Sequence, residues 1–175
     1  MTRIIGIDPS LTATGVVILE DGKIKDQLLI KTKPSGDHPI KELNRLFEIR
    51  RSLPKMEDDD VCIMEGIAFM ARNTSALIQL SALNYFIREK LYLDGIKFIV
   101  VPPTVLKKFI SGKGNSPKEL IILEIFKRYG VTFNDNNLAD AYALARIGTG
   151  LMDSTTKLTK FQQEVISDLK KKNAL

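Results

Sequence analysis

The chain has 175 residues, 44% hydrophobic and 27% charged, ordinary values for one globular domain that buries about 70% of its unfolded surface and folds without staples. Its single cysteine, Cys62, excludes an intramolecular disulfide and a multi-cysteine zinc site, while a net charge of +5 and a pI near 9.3 are compatible with a polyanionic partner. No run approaches the roughly 18 apolar residues of a membrane span and the opening MTRIIGIDPS has no signal-peptide pattern, so a cytoplasmic location is expected.

Residues 3–8 form an isoleucine-rich run that predicts a buried strand. Residues 15–20 and 23–31 predict two more strands, separated by Asp21-Gly22, a dipeptide suited to a hairpin turn with positive φ. Two prolines and a glycine mark residues 33–39 as a loop. His38 lies there between Asp37 and Pro39, an expected surface position. Ile40, Leu43 and Phe47 recur at helical spacing until Pro54. The acidic run Glu57-Asp58-Asp59-Asp60 reads as a solvated loop before a second buried strand at 61–65, which holds Cys62 as a core thiol. A long helix follows over 74–93, with Ala76, Leu80, Leu83, Ile87 and Leu91 on one face. A third buried strand at 97–101 closes at Pro102-Pro103.

From there the pattern is helical. A short helix is expected at 104–110, then a glycine-bearing loop. Ser116-Pro117 predicts a helix start with proline at the first helical position, and Ile122, Ile125, Phe126 and Tyr129 supply its stripe. The next helix spans 138–147 and should end at Gly148 and Gly150. A last amphipathic helix covers 157–171, with Leu158, Phe161, Val165 and Leu169 in line. This order describes an α/β domain with a mixed sheet. The expected division is one α/β domain at 1–152 and an amphipathic basic C-terminal helix at 153–175.

Two carboxylates stand at the inner ends of apolar strands. Asp8 ends Ile4-Ile5-Gly6-Ile7, and Glu65 ends Val61-Cys62-Ile63-Met64. Such a group loses hydration, which is costly unless a cation or donor compensates, so neighbouring strand ends sharing a cation would account for both. Asp140 sits in the first turn of a helix, with Asn137 beside it three residues earlier. Each acid alone has an ordinary explanation: Asp140 favoured by the helix dipole, Asp8 capping the turn at Pro9-Ser10. Together, oxygen ligands without histidine or cysteine select hard cations such as Mg²⁺ or Mn²⁺. Two such ions about 4 Å apart suit phosphodiester hydrolysis.

Ile5-Gly6-Ile7-Asp8-Pro9-Ser10, followed by Thr14-Gly15, resembles the opening of the RuvC family of Holliday junction resolvases. Glu65 with Phe69-Met70-Ala71-Arg72-Asn73 resembles that family's second motif. Residues 103–118, especially Leu106-Lys107-Lys108-Phe109 and Gly112-Lys113-Gly114, resemble the third, and Ala139-Asp140-Ala141-Tyr142-Ala143-Leu144-Ala145 the fourth. The four stand in family order across residues 5–145.

The resemblance implies an RNase H-like fold: a five-stranded mixed sheet, its first three strands antiparallel, flanked by helices. It implies a homodimer that places two sites on a four-way junction and nicks two strands symmetrically, with two Mg²⁺ ions per site and Mn²⁺ able to substitute. Asp8, Glu65 and Asp140 match three of four acidic ligands. The fourth position is Asp or His in well-known bacterial enzymes and Asn137 here, with Asp135 as an alternative; phage-encoded relatives tolerate such a change, so the expected setting is a bacterial cell or a phage-infected host. Phe69 matches an aromatic that wedges into the junction centre, although its gap from Glu65 is longer than the family pattern. Arg72 and Asn73 fall in the same DNA-contacting motif. Lys107, Lys108 and Lys113 match a basic segment that approaches backbone phosphates, where lysines neutralise charge and glycines admit the strand. Lys118 matches a catalytic electrostatic partner.

Competing readings are an RNA-processing nuclease of the same fold (YqgF-like) and a junction-binding protein with weak activity, the latter raised by Asn137. A two-domain sugar-kinase or actin-like ATPase would need a longer chain.

Overall fold

A computed structural model describes residues 3–34, 38–67 and 74–173 of the chain. The strands are β1 (Ile4–Asp8), β2 (Ala13–Glu20), β3 (Lys23–Lys31), β4 (Val61–Glu65) and β5 (Lys97–Val101). The helices are α1 (Pro39–Ser52), α2 (Thr74–Leu93), α3 (Pro103–Ser111), α4 (Lys118–Tyr129), α5 (Asn136–Met152) and α6 (Lys160–Asn173). The five strands form one sheet in the order β3-β2-β1-β4-β5. β1–β2 and β2–β3 pair antiparallel, whereas β1–β4 and β4–β5 pair parallel. The Asp21-Gly22 turn has positive φ at both residues (51° and 73°), as this tight hairpin requires.

Strand alternation divides the core into two layers. Ile5, Ile7, Val16, Ile18, Cys62 and Met64 face α1 and α2. Ile4, Val17, Leu19, Val61, Ile63, Ile99 and Val101 face α3, α4, α5 and α6. With a period of two, Gly6 and Asp8 follow Ile4 onto the α5 face, and Glu65 follows Val61 and Ile63 there. The two acids therefore stand on one face of adjacent parallel strands, at the same end of the sheet.

Several elements differ from the sequence expectation. Ile40, Leu43 and Phe47 are exposed, and α1 buries Leu46 and Ile49 instead. The residues facing the sheet are fixed by where the helix sits, and a second apolar row is left outward. α4 starts at Lys118 with Pro117 as its N-cap, and it buries Ile121 and Ile125 while Phe126 is exposed. α5 runs through Gly148 and Gly150 to Met152. Gly148 is there for proximity: a Cβ would stand 2.8 Å from the Ile63 side chain and collide with Ile4. α6 begins at Lys160 rather than 157.

The acidic run is also more than a solvated loop. Asp60 is 1% exposed and accepts hydrogen bonds from Arg3 Nε at 2.9 Å and Nη2 at 2.7 Å. The Glu57 backbone N–H donates to the same carboxylate at 2.8 Å, which ties the entry of β4 to the start of β1. His38 is exposed and Cys62 fully buried, as expected.

Candidate active site

α5 lies across β1 and β2 at backbone contact, and glycines make this possible. A Cβ on Gly15 would meet the backbone of Asn137 and Leu138, and one on Gly6 would overlap the Ala141 carbonyl. Gly15 is the β2 partner of Asp8. The first turns of α5, which carry Asn137 and Asp140, therefore rest directly on the strand end that carries Asp8. The side of α5 that meets β1 is correspondingly small, with Ala141 and Ala145 against Gly6, and both are buried.

Asp8 is only 5% exposed. Burial first, then the charges of Glu65 and Asp140, hold its carboxyl well above the usual carboxylate range, and Lys118 opposes them. Asp8 and Glu65 perturb one another, and burial is the largest cause of the rise in each, so without a cation the pair favours holding a proton. Burial and the Asp140 charge push Glu65 up to about 7, against the influence of Asp8 and the charges of Lys118 and Lys107. Asp140 is raised by burial, with Lys118 and then Lys107 opposing.

Three desolvated carboxylates under two lysines fit a divalent cation, which would offset their mutual repulsion. Among the described residues, no three acidic, histidine or cysteine side chains already surround one point as metal ligands do. An all-oxygen donor set suits hard divalent cations.

Asp135 is the N-cap of α5, and its Oδ1 accepts from the Asn137 and Leu138 N–H groups at 2.8 and 3.3 Å. That carboxylate is committed to the helix end, so Asn137 is the residue standing one turn before Asp140.

The basic segment is brought to the same end of the sheet. α3 follows directly on β5, whose Val101 is level with Glu65. Lys107 and Lys118 both act on the acids, as above. Lys113 is exposed on the loop between α3 and α4, and Lys108 pairs with Glu164 of α6 at 3.5 Å. Phe69, Arg72 and Asn73 lie outside the described residues.

Other residues that build the site had only weak marks in the sequence. Thr14, fully buried, accepts from the Ser10 N–H at 3.1 Å and donates to the Ser10 carbonyl at 2.7 Å, fixing the turn beyond Asp8. Asn84 on α2 is 2% exposed and donates from Nδ2 to the Glu65 carbonyl at 2.9 Å. Ser116, also buried, bonds Ser111 Oγ at 2.7 Å and donates to the Lys113 carbonyl at 3.0 Å, which pins the lysine loop. A hydroxyl after a glycine turn was the available signal for Ser116; Asn84 had none, since its role depends on how α2 docks.

The chain is similar to known proteins over most of its length. The family model Crossover junction endodeoxyribonuclease RuvC matches residues 4–147. The chain is 27% identical over 152 residues to the crossover junction endodeoxyribonuclease RuvC of Carboxydothermus hydrogenoformans, covering 83% of this chain and 94% of that one. It is 31% identical over 147 residues to that of Dictyoglomus turgidum, covering 81% and 92%. T. thermophilus RuvC in complex with Holliday junction substrate superposes with a TM-score of 0.62 at 19% identity, covering 83% of this chain and 91% of that chain. The yeast mitochondrial Holliday junction resolvase Ydc2 gives 0.61 at 13% identity, covering 99% and 85%. These structural likenesses bear out the RNase H-like mixed-sheet fold. Among the described residues no helix is long and apolar enough to cross a membrane.

Proposed function

The chain belongs to the RuvC family of crossover junction endodeoxyribonucleases, and from that premise we propose that it nicks Holliday junctions and other branched DNA, with Asp8, Glu65 and Asp140 as its metal ligands. The observation that carries this reading is the placement of Asp8 and Glu65 on one face of adjacent parallel strands, at the sheet end where α5, which bears Asp140, rests backbone to backbone on β1 and β2.

Asp8, Glu65 and Asp140, with the Asn137 carboxamide oxygen as a neutral fourth donor, would hold the ions. When bound, two Mg²⁺ (or Mn²⁺) supply Lewis-acid polarisation of the scissile phosphate and stabilise the attacking and leaving oxygens. Water attacks phosphorus, the bond to the 3′-oxygen breaks, and the products carry a 5′-phosphate and a 3′-hydroxyl. Lys118 and Lys107 offset negative charge where phosphate and carboxylates meet. Lys113 and Lys108 contact backbone phosphates, Lys108 exchanging its pair with Glu164 for one with DNA. Phe69, Arg72 and Asn73 take the junction-contacting role that their motif implies.

The working unit is a homodimer. In its support, Ile78, Tyr85 and Tyr92 form an exposed apolar row at seven-residue spacing on α2, the pattern of a helix face that pairs with another. The protein works in the cytoplasm of a bacterial or phage-infected cell, where branched DNA arises.

Cleavage of four-way junction, fork, flap and duplex DNA, side by side with Mg²⁺ and with Mn²⁺, tests this reading. Paired nicks in the junction with duplex spared are expected. Tight junction binding without nicks in either metal would leave a binding protein instead.

A further inference from the structure

A groove of about 680 Å³ opens one residue beyond Glu65, a volume within the roughly 300–1,000 Å³ of small-ligand sites. Its floor is apolar, with Phe98 of β5 and Pro103 of α3, and it begins at Gly66. Gly66 is held at this end of the sheet by its N–H donating to the Val101 carbonyl at 2.8 Å. Two cations face the groove from opposite walls, Arg88 of α2 and Lys172 of α6, and no acid is among its described lining residues.

Arg88 lies with its guanidinium carbon 4.8 Å from the ring centre of Tyr85, which also lines the groove and belongs to the α2 row assigned to the dimer, so the groove adjoins that face. The Arg88 Nε is buried and has no hydrogen-bond partner among the described residues. A guanidinium is shaped for phosphate oxygens, and with Nε enclosed, the terminal nitrogens of Arg88 are the donors a molecule in the groove would meet. Lys172 reaches the groove because α6 lies antiparallel along α3. Phe161, near the start of α6, packs against Gly112 at the end of α3. Glu164 pairs with Lys108 midway, and Lys172 then meets the start of α3. A lysine in a last helical turn is ordinarily explained by the helix dipole. That explanation does not account for a second cation, Arg88, across the same groove.

We propose that this groove seats a backbone phosphate of the junction strand beside the scissile phosphate, between Arg88 and Lys172, with the attached sugar and base resting on Phe98 and Pro103. The inference rests on the junction-nuclease reading and adds α6, which lies beyond the family match, to the DNA-binding surface.

The test is four-way-junction binding without divalent metal, so that no strand is cut, across a series of salt concentrations. It compares wild type, Arg88→Gln, Arg88→Lys and Lys172→Ala, each with its mass in solution measured. Arg88→Gln and Lys172→Ala should each lose roughly 3–10-fold in affinity and flatten the salt slope by about one unit, with Arg88→Lys keeping the slope. A neutral methylphosphonate at the seated position should reproduce that loss, and Lys172→Ala should then add nothing. Wild-type affinity and slope in both Arg88→Gln and Lys172→Ala would overturn the proposal. Because Lys172 is an exposed residue at a helix end, its variant decides alone if Arg88→Gln fails to fold. A monomeric Lys172→Ala protein would assign the groove to the second copy and overturn the proposal as well. Wild-type protein that ignores junctions would overturn the functional reading, and this inference with it.

Discussion

A Cβ on Gly6 would run into the carbonyl oxygen of Ala141 and stand 2.7 Å from the Ala145 nitrogen, so β1 and α5 meet backbone to backbone. This contact, with Gly15 against Asn137, sets how far Asp140 stands from Asp8. Gly6→Ala should therefore force α5 outward. It should cost roughly 1–3 kcal/mol, the usual range for overpacking, although alanine is otherwise easier to order than glycine in a strand. Denaturant unfolding gives the stability and junction cleavage gives the site. Wild-type values in both would show that the helix position is not set by this contact.

The metal-free carboxylates should make stability depend on pH. Glu65 is held at about 7 against an ordinary value of 4.5, and Asp8 is raised as well. The fold thus binds protons that the unfolded chain has already released. Their stabilising contribution is complete below the ordinary carboxylate range and is lost as pH rises through about 7. The metal-free Tm, set against that of Asp8→Asn, should fall between about pH 4.5 and 8. Mg²⁺ needs the deprotonated acids, so its stabilisation should grow over that window. A Tm gap from Asp8→Asn that does not change with pH would contradict the raised, buried pair.

Lys118 is the first cation opposing the raised Asp140 and also acts on Asp8 and Glu65. Lys118→Ala should lower cleavage by roughly 10²–10³-fold, as for removal of one oriented charge at a reacting centre. It should also move the acid limb of the pH–rate profile upward, because the carboxylates then ionise later. Lys118→Arg should restore the acid limb even where the rate is only partly recovered. An unmoved profile in Lys118→Ala would remove this lysine from the site.

Asn137 offers an opposite change. Asn137→Asp adds a fourth negative charge one turn before Asp140, so the Mg²⁺ concentration for half-maximal cleavage should fall severalfold while the metal-free Tm drops. A metal titration with thermal melts checks both. If neither moves, residue 137 is not at the metal site.

How much of this was legible in the sequence follows from how local each cause is. Asp8 and Glu65 were visible because each interrupts an apolar run, and a period of two places both on one face without any tertiary knowledge. The Asp21-Gly22 turn was visible because its conformation restricts residue choice. The helix periodicities were less informative. In α1 the row Ile40, Leu43 and Phe47 repeats as well as the buried row of Leu46 and Ile49, and only docking against the sheet distinguishes them. Gly148 looked like a helix end but serves a close approach to Ile4 and Ile63. Asp60 looked solvated because its partner, Arg3, is 57 residues away. At the site, the family motifs placed Lys107 and Lys118, whereas Asn84, Arg88 and Lys172 gain meaning only from helix placement.

The most direct test compares wild type and Asp8→Asn on a synthetic four-way junction with Mg²⁺, recording binding and strand nicking together. Asp8→Asn should bind the junction as tightly as wild type and nick it not at all, while its metal-free Tm rises as the buried repulsion is removed. Full nicking by Asp8→Asn would contradict the assignment of these three carboxylates as the metal site.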